Sequence, residues 1–191
     1  MSPTWTLLWY RLLALCQLTL GRQEAALICF DRMLEIDASS LYALSSRAHL
    51  KAQLEDRKGA LQDYARLTAL PQARAADFFN QGFLQEASGR LQAAEQSFRR
   101  AIKLNDQLDR AWFGLGLVLI QQSRLDEAIT ALKRNTQLQP MSPHAWYELA
   151  RIHVKRQEPE EAAKIIRHLQ GFEPKVAAQL ARETGINGSP V

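Results

Sequence analysis

The sequence predicts an all-α chain of five antiparallel helix hairpins stacked in series. Three observations carry this expectation. The 191-residue chain matches itself when shifted by 34 residues. Each 34-residue block repeats one order of bulky and small residues, and each has a helix break near its middle. Blocks cut at 7–40, 41–74, 75–108, 109–142 and 143–176 align without a gap, and a fixed period of this length is the mark of a repeat array.

The first helix of each block is set by its fourth and eighth positions. The fourth holds Tyr10, Leu44, Phe78, Trp112 and Trp146, and the eighth holds Ala14, Ala48, Gly82, Gly116 and Ala150. A bulky side chain on one helix needs a small residue nearby if two helices are to approach closely. The second helix supplies Ala26, Ala60, Ala94, Ala128 and Ala162 at the twentieth position, with Phe30, Tyr64, Phe98, Leu132 and Ile166 at the twenty-fourth. The thirtieth is Ile36, Leu70, Leu104, Leu138 and Phe172. Between the helices stand Gly21-Arg22, Glu55-Asp56, Gly89-Arg90, Ser123-Arg124 and Gln157-Glu158. Glycine accepts the left-handed conformation that ends a helix, and Pro159 suits the first position of the next one. Pro140 and Pro174 mark block ends. One hairpin cannot bury its own apolar face, so neighbours must stack.

The flanks follow from the same frame. Residues 1–6 are expected as a lead-in. Trp5 to Leu20 is largely apolar, but Arg11 interrupts it and no positive charge precedes it, so it reads as the first repeat helix rather than an export signal or a membrane span. Beyond 176, Ala177 to Thr184 can form a short capping helix ending at Gly185, with a frayed tail from Asn187 to residue 191.

Composition bounds the function. The formal net charge is +4, with 23% charged and 47% hydrophobic residues, ordinary values for a folded chain. No clustered stripe of Lys and Arg points to nucleic acid. Cys16 and Cys29 form no CxxC or zinc pattern and read as reduced, buried thiols, which favours a reducing compartment, and the lack of a convincing export signal makes the cytoplasm the expected location. His144, His153 and His168 lack the spacing of ligands on one helix turn, so no metal is expected. Gly114-Leu115-Gly116 follows no strand and has Leu119 where a third glycine would stand, so no nucleotide cofactor is expected. No arrangement of nucleophile and base is visible, and the chain is not expected to be an enzyme.

The block pattern resembles the tetratricopeptide repeat family. Trp112, Leu115, Gly116, Ala128 and Pro140 meet its signature best, and Trp146, Leu149, Ala150, Ala162 and Pro174 repeat it. Departures fall at position twenty-seven, where Met33, Leu67, Asn135 and Leu169 replace alanine, and at position thirty-two, where Ala38, Gln72 and Asp106 replace proline. Asn135 is expected to satisfy a polar contact or to lie partly exposed.

The resemblance implies a right-handed superhelical solenoid whose first helices line a concave groove. Carried over by position, that groove would hold Tyr42, His49, Phe79, Asn80, Phe83, Arg110, Phe113, Leu117, His144, Tyr147 and Arg151. Phe79, Phe113 and Tyr147 recur at position five. They form either a recognition ladder or packing between neighbouring helices, and both readings stand. The carboxylate clamp of one subgroup is missing: the best run keeps Asn80 and Arg110 but has Ser45, His49 and Gly114 where its other donors belong. The expected role is a protein–protein adaptor or scaffold. Its partner would be a protein or peptide with apolar anchors and some acidic residues, entering as an extended segment or a helix. The alternative is self-assembly into homo-oligomers through the apolar face of the first hairpin (Leu7, Leu8, Leu12) or the thinly capped C-terminus.

Overall fold

The computed structural model describes residues 3–186 and contains, among them, eleven α-helices and no strand. They are α1 (Pro3–Thr19), α2 (Gln23–Ile36), α3 (Leu41–Gln53), α4 (Arg57–Thr68), α5 (Ala75–Glu86), α6 (Leu91–Leu104), α7 (Asp109–Gln121), α8 (Leu125–Leu138), α9 (Pro143–Lys155), α10 (Pro159–Gln170) and α11 (Pro174–Thr184). Helices α3, α5, α7 and α9 begin 34 residues apart, and so do α2, α4, α6, α8 and α10. The chain divides into two compact units, residues 1–104 and 105–191.

The first unit packs α1 on α2, α3 on α4 and α5 on α6, with α2 meeting α3 and α4 meeting α5. Its core includes Ala14, Phe30, Leu44, Ala48, Tyr64 and Leu67. The second unit packs α7 on α8 and α9 on α10, with α8 meeting α9 and α11 lying against both α10 and α9. Leu132, Leu149, Ile166, Leu169 and Leu180 are fully buried there.

The interhelical turns are one device used five times. Gly21, Glu55, Gly89, Ser123 and Gln157, spaced 34 apart, all have φ between 61° and 71°. After each, the next amide reaches back to the preceding helix: Arg22, Asp56, Arg90, Arg124 and Glu158 donate to the carbonyls of Gln17, Lys51, Gln85, Leu119 and His153 at 2.8–2.9 Å. This closure satisfies helix-end carbonyls that would otherwise be orphaned. Three of the five turns hold a non-glycine residue in the left-handed region, at a steric cost of roughly 1–2 kcal/mol each.

Two tryptophans tie linkers down. Trp112 Nε1 donates to Asp106 O at 2.8 Å, and Trp146 Nε1 donates to Pro140 O at 2.9 Å, each six residues back. An ionic cluster around the buried Asp63 joins α2, α3 and α4. Arg47 Nε and Lys51 Nζ each donate to Asp63 Oδ2 at 2.8 Å, and Arg47 Nη1 donates to Asp31 Oδ1 at 2.6 Å. Burial pushes the Asp63 carboxyl up, but the hydrogen bonds and charges of Arg47 and Lys51 outweigh it and hold the group below its ordinary value.

Four expectations are corrected. Helix α1 begins at Pro3, so residues 3–6 are helix rather than lead-in; no breaker stands there, and proline is tolerated in a first turn. The capping helix starts at Pro174, three residues before 177, and ends on Gly185 with φ 68°; the expected tail from 187 lies outside the described residues. Cys29 is buried but Cys16 is exposed, because among the described residues no helix packs on its side of α1. Leu7 packs against the core rather than joining the exposed face of the first hairpin. Asn135 is buried, and its Nδ2 donates to Asp109 O at 2.7 Å, binding α8 to the start of α7.

Candidate functional site

In the first unit, α3, α4 and α5 enclose a pocket of about 540 Å³. Its walls include His49, Ala52 and Gln53 from α3, Arg57 and Tyr64 from α4, and Phe79, Asn80, Phe83 and Leu84 from α5. Phe79 and Phe83 are one turn apart, so their rings fall on one helix face and stack at 6.4 Å between centroids. The two rings have different footings. Phe79 is half-buried and also meets the core ring of Phe98 at 5.9 Å, whereas Phe83 is 59% exposed.

The pocket also has a polar wall. Tyr64 is buried, and its phenol is pushed up to about 12 by burial first and the Asp77 charge second, with a side-chain hydrogen bond to Asn80 acting the other way. It is therefore a neutral hydroxyl at every physiological pH. Arg57 and His49 are the basic side chains of the lining, and no carboxylate belongs to it. The surface offers apolar area, amide and hydroxyl groups, and positive charge.

Tyr42 does not join this pocket. It is half-buried against Phe30, at 6.2 Å edge to face, and the Arg11 guanidinium lies 4.3 Å from its ring centroid.

The second unit has a smaller pocket of about 400 Å³, lined by Phe113, Pro143, His144, Tyr147, Glu148, Val176 and Gln179. Phe113 and His144 approach at 6.3 Å between ring centroids. Tyr147 is engaged rather than free: its hydroxyl donates to Glu183 of α11, a bond that raises the phenol above its ordinary value. The Arg151 guanidinium lies 5.7 Å from the Tyr147 ring centroid and 3.5 Å from Glu148 Oε1. Arg151 lines a neighbouring depression with Glu183, while Arg110 and Leu117 line neither of these two cavities.

The expected residues thus fall into two local sets: His49, Phe79, Asn80 and Phe83 in one unit, and Phe113, His144 and Tyr147 in the other. Position-by-position reading missed Arg57 and Tyr64 because they belong to the second helix of their repeat, and it missed Val176, Gln179 and Glu183 because α11 was expected only to cap. Arg57 and Tyr64 stand at the seventeenth and twenty-fourth positions of the second block, and Tyr64 is the one phenol at its position, a polar tip among apolar residues that could have flagged it. Among the described residues no group of His, Cys, Asp and Glu is placed to hold a metal ion, and no helix is long and apolar enough to cross a membrane.

Two tetratricopeptide repeat models match the chain, over residues 79–134 and 119–182. The chain belongs to the tetratricopeptide repeat family. Its fold is shared with solved structures of that kind. YrrB, a TPR protein with an unusual peptide-binding site, is 21% identical with a TM-score of 0.79, over 91% of this chain and 90% of YrrB. A MamA structure from Desulfovibrio magneticus RS-1 is 17% identical with a TM-score of 0.78, over 93% and 96% of the two chains. Pseudomonas aeruginosa PilF is 24% identical with a TM-score of 0.70, over 96% and 92%. At these identities the likeness concerns the fold. No curated protein matches the chain.

Proposed function

We propose that this tetratricopeptide repeat protein is a non-enzymatic adaptor that holds a segment of another polypeptide against the pocket of its first unit. The observation that carries the reading is the exposed ring of Phe83 beside Phe79 at the mouth of a preformed cavity. Exposed aromatic area over a concave surface is the usual footing of an interaction site, and aromatic anchors dominate interface energy. The volume suits one or two bulky apolar side chains. Asn80, held in place by its hydrogen bond with the buried Tyr64, can bond the backbone of the bound segment, and Arg57 and His49 favour a carboxylate in it. A rigid site lowers the ordering cost of association. In the second unit, Phe113, His144 and Tyr147 offer a further, shallower contact.

Selection of a displayed random-peptide library on the purified chain tests this. Enriched peptides should pair an apolar anchor with an Asp or Glu nearby. Phe83→Ala should weaken them about tenfold or more, as expected for loss of a buried aromatic anchor, while the thermal midpoint stays within about 2 °C because the ring is mostly outside the core. Equal binding by Phe83→Ala, or enrichment of basic peptides, would refute the assignment.

A further inference from the structure

Helix α1 carries a second surface unrelated to the pocket. Trp5, Leu8, Trp9, Leu12 and Leu15 are 66%, 49%, 59%, 63% and 45% exposed, and Cys16 is exposed beside them. At about 100° per residue these six lie within a stripe of about 120° along the helix. No Asp, Glu, Lys or Arg interrupts it. Arg11, at its edge, is drawn aside over the Tyr42 ring. The opposite face of α1, with Leu7, Tyr10 and Ala14, packs into the unit.

The repeat itself shows what this face is. At the third and tenth positions of the later repeats stand Ala43 and Leu50 in α3, and Ala145 and Ile152 in α9, all buried. The preceding helices α2 and α8 pack against those two helices. In the first repeat the same positions hold Trp9 and Cys16, both exposed. Alanine there lets a preceding hairpin approach closely, whereas an indole would hold it off. The face is apolar but not shaped to receive another regular hairpin.

We infer that α1 is a homodimer seam, packing antiparallel on α1 of a second copy around a two-fold axis. The apolar residues at 5, 8, 12 and 15 alternate in steps of three and four, the spacing of a helix–helix seam. Antiparallel pairing centred on residue 10 sets Trp5 against Leu15 and Leu8 against Leu12 of the second copy, with Trp9 and Cys16 flanking these pairs opposite Arg11 and Thr4, so the row 5, 8, 12 and 15 is its own complement, as a two-fold interface requires. The bare area is on the order of 600 Å² per copy, given up to about 250 Å² for a tryptophan, and about 1,200 Å² for two copies exceeds the roughly 1,000 Å² of a specific interface. Among the described residues head-to-tail stacking lacks a matching surface, because the exposed residues of α11 are Pro174, Lys175, Ala178, Gln179, Arg182 and Glu183, with no large apolar side chain among them. The assembly therefore closes at two copies.

Sedimentation velocity on the full chain, from low to high micromolar, tests the seam. The wild-type mass should rise from 21.6 kDa to a plateau at twice that value. Leu12→Glu should weaken association on the order of tenfold or more, since it places a charge in an apolar seam, with an unchanged helical circular dichroism signal because Leu12 lies outside the core. Trp9→Lys serves the same purpose should Leu12→Glu misfold. Maleimide labelling of Cys16 should slow as dimer forms, with the buried Cys29 silent. Phe83→Ala should dimerise normally, which separates this surface from the pocket. A constant monomer mass, a mass that climbs without a plateau, or a dimer indifferent to both α1 variants would overturn the inference. So would a monomer that sediments with lipid vesicles only when α1 is intact, which would make the stripe a membrane-facing surface instead.

Discussion

Gly116→Ala probes a close helix contact of the second unit, between α7 and α8. A Cβ built on Gly116 would lie 2.6 Å from Cδ2 and 2.7 Å from Cγ of Leu132, against an ordinary carbon–carbon separation of about 3.5–4.0 Å. Leu132 is fully buried and cannot swing into solvent, so α7 and α8 must part by about 1 Å or Leu132 must leave its rotamer. Overpacking of this kind costs about 1–3 kcal/mol. Against it stands the helix preference of alanine over glycine, about 1 kcal/mol. A contact about 1 Å too short with a fully buried side chain belongs to the upper half of the overpacking range, about 2–3 kcal/mol, so the clash wins and the net loss is about 1–2 kcal/mol. Gly82→Ala supplies the contrast: the nearest atoms are on the Phe98 ring at 3.0 Å and Ser97 Cβ at 3.2 Å, a milder contact that the same preference nearly offsets. Urea denaturation followed by helical circular dichroism should rank Gly116→Ala below Gly82→Ala by about 1 kcal/mol. Adding Leu132→Val to Gly116→Ala should cost less than the two single losses together, because the second change removes part of the clash. A Gly116→Ala chain as stable as wild type would show that the small residue at the eighth position is not what sets the helix separation.

Two further changes probe the first unit and the turns. Asp63→Asn should destabilise by about 3 kcal/mol at neutral pH, since Arg47 and Lys51 lose their buried counter-charge. The folded-state value of Asp63 is depressed, so its contribution is fully present above the ordinary carboxylate range of about 4 and fades as pH falls through the lower folded value; the gap between wild type and variant should narrow there in acid denaturation, and a gap independent of pH would contradict the reading. Ser123→Gly and Gln157→Gly should each stabilise by about 0.5–1 kcal/mol, because the relief of a left-handed backbone outweighs the added chain entropy of glycine. Both side chains are exposed, so a loss of stability in the urea midpoint would mean they make contacts that matter more than the backbone.

The helix starts were legible because two periods coincide in the sequence. Ala or Gly at position eight and Ala at position twenty locate the close contacts, and every such alanine is fully buried. Turn residues were legible only in part. Gly21 and Gly89 announce a left-handed residue, but Glu55, Ser123 and Gln157 adopt the same φ with no chemical preference for it. The repeated closure of the chain onto the preceding helix overrides their local cost. The pocket was half legible: position analogy named His49, Phe79, Asn80 and Phe83 but treated the repeat as a single strip of first helices. Tyr64 and Arg57 enter from the second helix because the cavity has depth, and depth is a property of neighbouring hairpins that no single position records.

The failure at Cys16 is the most instructive of these, because the rule that misplaced it was sound. An apolar residue at the tenth position is buried in α3, α5 and α9, as Leu50, Leu84 and Ile152 show. Periodicity states which face of a helix seeks a neighbour; it does not state that the neighbour is there. In the first repeat the face remains, but among the described residues no helix packs on it, so the same pattern that builds a core elsewhere leaves Trp5, Trp9 and Leu12 exposed. Burial of an apolar stripe in an array is therefore a property of adjacent repeats, not of the helix that carries it. The first unit thus carries two surfaces with separable chemistry, an aromatic pocket with basic and amide groups, proposed to take a foreign segment, and an uncharged helix face, proposed to pair with its own copy. Dimerisation through α1 would present two pockets on one particle, so a partner with two matching segments would bind more tightly than either pocket alone provides, to a degree fixed by the chain joining those segments.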